Sequence, residues 1–333
     1  MSARTRGLIL GIVVSVAAAA LLVTTTDLRA VAADLGRAQL IWLLPGLVVL
    51  GAQAWVRAVR WTSLIRPWAG PAIRAGRVID AMLVGYFVNA VMPARLGEVA
   101  RTLVVARRES VAFAGVAASV VVERAIDVMA LAVLAAIALA VAGSSWSIPF
   151  AILAVTIAVV VGLGRRATGL ARLVPGRTPQ RLAEGIRGFL GAVAAMPPSV
   201  IGAAAALSAV AWLADTTLVL LVSRALGLDI PVPAAVLIGL GGALGTALPA
   251  APGYLATYEL GAVALGTLAG VPRETVLPVA ILTHLVGVIV LAAAGAIALG
   301  RVSGLVRLDS LSVPGAGHLG ARPLYDGRPT QDG

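Results

Sequence analysis

Two residue types that carry much of protein chemistry are missing from this chain of 333 residues. It has no cysteine, which excludes disulfide bonds, thiolate nucleophiles and cysteine-ligated zinc or iron–sulfur sites. It has no lysine either, so all 26 basic residues are arginine. Without lysine there is no Gly-Lys-Ser/Thr phosphate loop and no Schiff-base nucleophile. The two histidines are His284 and His318, and we predict neither a metal site nor a cofactor.

Charge is also scarce. Only 12% of the residues are charged and 60% are hydrophobic, whereas an ordinary soluble domain has about 25% charged residues. This composition excludes a soluble enzyme and predicts a protein that crosses a membrane several times. Aromatic residues make up 4% of the chain and no arginine tract is interleaved with them, so we expect no nucleic-acid partner.

Long apolar stretches account for most of the chain. A spanning helix needs about 20 mostly apolar residues. Six stretches qualify, at 7–25, 40–64, 111–143, 147–164, 199–223 and 275–299. Two shorter ones, 78–93 and 234–252, end in Gly and Pro. We interpret these two as re-entrant, broken helices, with ordinary short spans as the alternative.

The predicted fold is therefore an all-α polytopic membrane protein with about six full spans and two re-entrant segments. The first apolar stretch is longer than the core of a usual signal peptide, and we interpret it as an uncleaved first helix. A transmembrane domain is expected over 1–300. The tail over 301–333 is rich in Gly and Pro, and we predict a disordered cytoplasmic segment there.

Arginine is distributed unevenly between the predicted loops. Short cytoplasmic loops hold an excess of positive charge, and the 66–77 and 164–198 segments are strongly basic, whereas acids balance arginines in 26–38. We therefore expect a multi-pass protein of the cell membrane with both termini in the cytoplasm. The basic amphipathic pattern over 177–195 predicts a helix on the anionic inner leaflet.

Short sequence similarities relate the two halves of the chain. Pro-Ala-x-x-Gly occurs at Pro93 and again at Pro249, and two further matches keep the same order at offsets of 157 and 160 residues. The halves would be about 40–143 and 199–300, in opposite orientations. Inverted repeats with paired broken helices are typical of transporters, whose site lies where the breaks meet.

Several charged residues fall inside predicted membrane segments, where an ionisable side chain suggests function by default. Glu123 and Asp127 share one helix face, and Arg124 is three residues from Asp127, so the three form either a structural ion cluster or an anion site. Arg57 and Arg60, together with Trp61, are interpreted as interfacial anchors that reach the headgroups, and Asp80 is also expected near the interface.

The breaks carry the remaining candidates. At the first break, arginines and a helix beginning near Gly97 could bind phosphate through guanidinium and free backbone N–H groups, with simple solvation of these charges as the alternative. Glu98 and Arg101, three residues apart, could pair with each other. His284 lies 160 residues after Arg124, so each half would offer one basic group; a packing role is the alternative. The candidate substrate-binding residues are Asn89, Pro93, Arg95, Gly97, Glu98, Arg101, Glu123, Arg124, Asp127, Asp215, Pro249, Gly253, Glu259 and His284.

Three motifs resemble those of a known membrane family. They are N-x-x-x-P-x-R-x-G-E-x-x-R from Asn89 to Arg101, E-R-x-x-D from Glu123 to Asp127, and P-x-x-P-G with a following Glu from Pro249 to Glu259. Together they resemble the flippase-like family typified by the transmembrane part of lysylphosphatidylglycerol synthases (multiple peptide resistance factor). His284 stands where relatives often have Arg.

The resemblance implies a lipid flippase. It would move a phospholipid, such as an aminoacylated one, or a lipid-linked glycan between leaflets, without a nucleotide-hydrolysing site of its own. No soluble domain follows residue 300, so we expect no enzymatic activity and no synthesis of lysyl-lipid by this chain. The alternatives are a transporter of a soluble anion, an intramembrane lipid-modifying enzyme and a non-transporting scaffold of envelope assembly.

Expected partners follow from the same resemblance. They are membrane lipids, either anionic phospholipid or polyprenyl-linked substrate. A second copy of the chain, and a separate lipid-modifying enzyme or glycosyltransferase, are further candidate partners.

Overall fold

The computed structural model describes residues 3–92, 95–166 and 196–303, and this part of the chain is helical with no strand. The predicted surface helix at 177–195 and the tail after residue 303 lie outside the described residues, as does Pro93. The α-helices are α1 Ala3–Thr25, α2 Leu28–Gly36, α3 Leu43–Ala69, α4 Ala75–Val91, α5 Leu96–Arg108, α6 Phe113–Val141, α7 Ser147–Arg166, α8 Pro198–Ala225, α9 Val232–Gly245, α10 Thr257–Gly266 and α11 Arg273–Val302. Short 3₁₀ turns cover Leu40–Trp42, Pro252–Tyr254 and Thr267–Ala269.

Four helices are long and apolar enough to cross a membrane. They cover Leu40–Ala69, Phe113–Val141, Pro198–Ala225 and Arg273–Val302. A fifth span is counted if α1 and α2, which meet at a bend of 94°, are taken together. Helix α7 contributes an apolar segment, Ser147–Ala158, that is shorter than these candidate spans. The described residues thus support a multi-pass protein, but the predicted count of six spans is not confirmed.

The two Gly/Pro-terminated segments each form a helical hairpin. The first is α4 and α5, separated by the break at Met92–Arg95; the second is α9 and α10, separated by the Pro252–Tyr254 turn. Helix α4 has 17 residues and α9 has 14. At about 1.5 Å per residue, neither reaches the roughly 30 Å of a hydrocarbon core. Their lengths suit a re-entrant arrangement, which remains a prediction.

Glycine allows each hairpin to close backbone against backbone. A Cβ on Gly97 would lie 2.1 Å from the carbonyl oxygen of Gly85, and one on Gly261 would lie 2.1 Å from that of Gly241. Real side chains do not tolerate such distances, so only glycine permits the two helices of each hairpin to approach this closely.

Each hairpin packs against the long helix of the other half. Helix α4 packs on α11, α9 packs on α6, and the long helices α3 and α8 pack along each other. These contacts bring the two breaks close together. A Cβ added to Gly253, in the second break, would lie 3.8 Å from the carbonyl oxygen of Ala90, next to the first. The repeat of halves at 40–143 and 199–300 stays a prediction.

Candidate functional site

A closed ring of ion pairs lies at the junction of α3, α5 and α6. Three arginines alternate with three acids, so that each side chain contacts one member on either side. In order round the ring they are Arg60, Glu123, Arg101, Glu98, Arg124 and Asp127. The formal charges of the ring sum to zero.

Arg60 is the deepest member. Its side chain is 2% exposed, and its guanidinium donates to Glu123, to Asp127 and to the Ser208 hydroxyl on α8. The predicted role of Arg60 as a headgroup anchor is therefore wrong. The helix turns Arg60 inward to the two carboxylates of α6, where a buried cation requires such partners. Trp61 beside it, also predicted to be interfacial, is fully buried and donates to Ser119.

Arg124 was predicted to belong either to a structural ion cluster or to an anion site. Its side chain is 47% exposed and pairs with Glu98 at 2.9 Å and with Asp127 at 3.8 Å. The expected pairing of Glu98 with Arg101 is confirmed at 2.5 Å. The charge of Arg124 is thus already compensated by two acids, which disfavours it as the main residue that binds a ligand anion.

A cavity of about 310 Å³ opens beside the ring, between the two halves. Its wall comes from the helices α3, α4, α5, α6, α8, α9, α10 and α11 and from both breaks. The polar and charged side chains of the wall are Gln53, Arg57, Tyr86, Asn89, Arg95, Glu98, Arg124, Asp127, Trp212, Asp215, Thr246, Tyr254, Tyr258, Thr283 and His284.

Two arginines of the wall have no carboxylate partner. Arg95 donates to the Thr246 hydroxyl at 2.9 Å and lies 5.8 Å from the centre of the Tyr254 ring. Arg57 stacks on Trp212 at 5.0 Å. Neither forms a salt bridge within the described residues. Aromatic faces and a hydroxyl hold them, and Asp215 interacts with Arg57 electrostatically without a salt bridge, so their charge remains available to a ligand.

Several buried polar atoms of the wall also have no hydrogen-bond partner among the described residues. They are Nε of Arg57 and Arg95, Nε1 of Trp212, Oγ1 of Thr283, Nε2 of His284 and Oε2 of Glu98, the last of which forms a salt bridge with Arg101. Buried polar groups are nearly always paired, so such a cluster indicates a site that a ligand or water completes. The first three are donors only. Their chemistry suits a ligand rich in acceptor oxygens, such as a phosphate.

The second half supplies two acids. Asp215 accepts from the Gln53 amide at 3.0 Å, and glycine at position 239 makes room for its carboxylate, since a Cβ there would lie 2.5 Å from Oδ2. Glu259 is buried and contacts His284, with 2.7 Å between Oε1 and Nδ1. Tyr258 stacks on the imidazole, with the ring centres 4.2 Å apart.

Most of the predicted site residues reach this cavity or the ring behind it. Asn89, Arg95, Glu98, Arg124, Asp127, Asp215, Gly253 and His284 line the cavity. Arg101 and Glu123 lie in the ring behind the wall, and Glu259 lies behind His284. Pro249 does not line the cavity and is exposed in the loop after α9.

The start of α5 does not have the role that was predicted for it. The Gly97 N–H donates to Asn89 Oδ1 at 2.8 Å and is not free to bind phosphate. Asn89 therefore closes the first hairpin as well as lining the cavity. Arg95 takes a left-handed conformation, with φ of 54°, immediately before the helix, and this turn directs its side chain towards Thr246 in the other hairpin.

Some wall residues were missed or misassigned from the sequence. Arg57 was interpreted as an anchor because it lies near a helix end, and Gln53, Tyr86, Trp212 and Thr246 carried no charge to draw attention. The Gln53 and Trp212 positions do fall in one of the repeat matches, Ala52–Val56 against Ala209–Leu213, which was a usable signal. Outside the site, Asp80 was expected at the interface but is buried, bridging Arg108 and Arg301.

These features define a class: a multi-pass membrane protein with a charged cavity enclosed by its apolar helices. The chain belongs to the family described as the lysylphosphatidylglycerol synthase TM region, which matches residues 8–295. The resemblance carried by the three motifs is thereby confirmed.

The chain is also similar to a named protein at low identity. The chain is 28% identical over 331 residues to the glycosyltransferase AglD of Haloferax volcanii, a match that covers 84% of this chain. The chain spans about half, 52%, of that relative's own length. No solved structure matches.

Proposed function

We propose that this protein moves a lipid with an anionic, phosphate-bearing headgroup between the two leaflets, without nucleotide hydrolysis or catalysis of its own. The observation that carries the proposal is the cavity wall, where one buried nitrogen donor each of Arg57, Arg95 and Trp212 has no hydrogen-bond partner among the residues that the structure describes. In a region of low dielectric constant, such donors bind an anion much more strongly than they would in water.

The family supports a lipid as the cargo, since its description names a synthase of a phospholipid. The similarity to a protein named a glycosyltransferase adds lipid-linked glycan as a second cargo of the same chemistry, because both are acceptor-rich. A phospholipid and a lipid-linked glycan are the two cargo types to compare. A separate enzyme that makes the lipid is a proposed partner.

The geometry also revises which residues hold the headgroup. Arg124 is already paired with Glu98 and Asp127, so we assign the phosphate to Arg57 and Arg95, which both line the cavity. Alternation would come from movement of one half against the other, with the Arg95–Thr246 contact between the two hairpins breaking and re-forming.

The test is movement of fluorescent phosphatidylglycerol and of a polyprenyl-phosphate-linked sugar across proteoliposome bilayers. Arg57→Ala and Arg95→Ala should each lower lipid affinity by about tenfold or more, since each loses a charge-assisted hydrogen bond. Arg29→Ala is the matched control, because Arg29 is exposed on α2 and lies outside the cavity. Wild-type behaviour of both cavity variants contradicts the site. Flux of labelled inorganic phosphate without lipid movement would instead indicate the soluble-anion transporter.

A further inference from the structure

A buried carboxylate–imidazole pair forms part of the cavity on the side of the second half. His284 of α11 is 7% exposed and Glu259 of α10 is 8% exposed, with 2.7 Å between Nδ1 and Oε1. Tyr258 covers one face of the imidazole. His284 itself lines the cavity, whereas Glu259 lies behind it.

The hydrogen bond to Glu259 determines where the imidazole can accept a proton. A carboxylate at Nδ1 favours the tautomer with its hydrogen on Nδ1, which leaves Nε2 with a free lone pair. Nε2 has no hydrogen-bond partner within the described residues. The second oxygen of Glu259, Oε2, has none either. The pair can therefore take up one proton without breaking any contact that the structure shows.

The acids of the ion-pair ring cannot play this part as easily. Each ring acid contacts two guanidinium groups, so its protonation would leave buried arginine charge without a partner. Arginine itself does not release a proton. This leaves the Glu259–His284 pair and Asp215 as the proton-accepting groups of the cavity.

The groups around the pair come from each helix packed on α11. Titratable side chains on the shared wall are Tyr86 from α4, Asp215 from α8 and Tyr258 from α10, while α2 and α9 contribute none to it. Across the cavity lie Arg57 and Arg95, with Tyr254 beside the latter. An anion held by the two arginines would partly neutralise the positive charge that the imidazolium meets.

We propose that the Glu259–His284 pair binds a proton that is transported together with the anionic headgroup, so that a proton gradient drives lipid movement. This inference rests on the proposed lipid transport. A bound anion in the cavity stabilises the imidazolium by Coulomb attraction, and a bound proton strengthens anion binding by the same factor. One proton moving with one monoanionic lipid transfers no net charge, so the pH gradient and not the membrane potential should supply the driving force.

The experiment uses the full chain in proteoliposomes that contain fluorescent phosphatidylglycerol. The leaflet distribution is measured with and without a one-unit pH gradient, at a membrane potential clamped with potassium and valinomycin. The wild type should enrich the probe in the leaflet facing the alkaline side, by up to tenfold for one coupled proton. Clamping the potential at different values should leave the enrichment unchanged.

His284→Gln and Glu259→Gln should equilibrate the probe but lose the enrichment. His318→Gln, a change at the chain's other histidine, is the matched control and should keep it. If Asp215→Asn loses enrichment while His284→Gln and Glu259→Gln keep it, the proton site is Asp215 and the present assignment is overturned.

Failures of the two proposals are distinguishable. If the wild type equilibrates lipid but ignores the pH gradient, coupling is wrong and lipid transport stands. If His284→Gln and Glu259→Gln both enrich the probe like the wild type, the pair is not the proton site. If no lipid moves in the wild type, both proposals fall together. Size-exclusion profiles in detergent show whether each variant is folded before its transport is judged.

Discussion

At the scale of single residues, the ion-pair ring and the two remaining arginines of the cavity wall have different roles. Six of them close a ring in which every arginine meets two acids and every acid meets two arginines. Outside the ring, Arg57 and Arg95 contact rings and a hydroxyl instead of acids. The first arrangement holds helices together, and the second leaves positive charge facing the cavity.

Substitution of Arg60 tests most directly whether the ring stabilises the folded protein. Arg60→Met keeps the length of the apolar stem but removes a cation that contacts both Glu123 and Asp127. Two buried carboxylates then lose a partner, and we expect the free energy of unfolding to fall by about 3 to 5 kcal/mol. Denaturant or thermal unfolding of the purified protein in detergent measures this. Arg29→Met, at an exposed site, should change little; equal stability of the two variants would contradict a structural ring.

At the scale of the helical elements, the hairpins depend on how closely their two helices approach. Gly97 and Gly85 bring α4 and α5 into backbone contact, and Asn89 ties them with a hydrogen bond to the Gly97 amide. Asp80 then fastens α4 to α5 and α11 through Arg108 and Arg301. The hairpin places Arg95 at its tip as a consequence of this packing.

A single methyl group tests this contact. In Gly97→Ala the new Cβ would lie 2.1 Å from the Gly85 carbonyl oxygen and 2.5 Å from Asn89 Oδ1, so backbone has to move. We expect a loss of about 1 to 3 kcal/mol, in the range of other overpacked sites. Gly76→Ala in the same hairpin is the control, since nothing lies within 4 Å of its Cβ, and alanine there should be neutral or slightly stabilising. A melt in which both variants match the wild type would rule out close hairpin packing.

At the scale of the whole molecule, the two halves are predicted to lie in opposite orientations in the membrane. The chain has no cysteine, so single cysteines can report sidedness without background. The exposed positions Gly36, Ser145 and Asp229 are expected outside, whereas the exposed Ala72 is expected in the cytoplasm.

Labelling intact spheroplasts with a membrane-impermeant maleimide checks the orientation. Gly36→Cys, Ser145→Cys and Asp229→Cys should react before lysis, and Ala72→Cys only after it. A reversed pattern would show that the arginine bias sets the opposite orientation. If all four react before lysis, either the spheroplasts are leaky or the span assignment is wrong at the loop that contains Ala72.

Local pattern allowed some features to be predicted and not others. The pairing of Glu98 with Arg101 and of Arg124 with Asp127 could be anticipated, because each pair is three residues apart on one helix. The hairpin ends could be anticipated from Gly and Pro. The inward turn of Arg60 could not, because its partners Glu123 and Asp127 are 63 and 67 residues away, and sequence position alone placed it near a helix end.

The sequence by itself determined that this protein is a helical, multi-pass membrane protein and which family it belongs to. It did so because apolar length, arginine bias and short motifs are properties of neighbouring residues. Only the tertiary structure decided which charges cancel and which face the cavity. Arg124 is paired with acids of its own half of the chain, whereas Arg57 and Arg95 contact Trp212 and Thr246 of the other half, and which helices meet is a property of the tertiary structure.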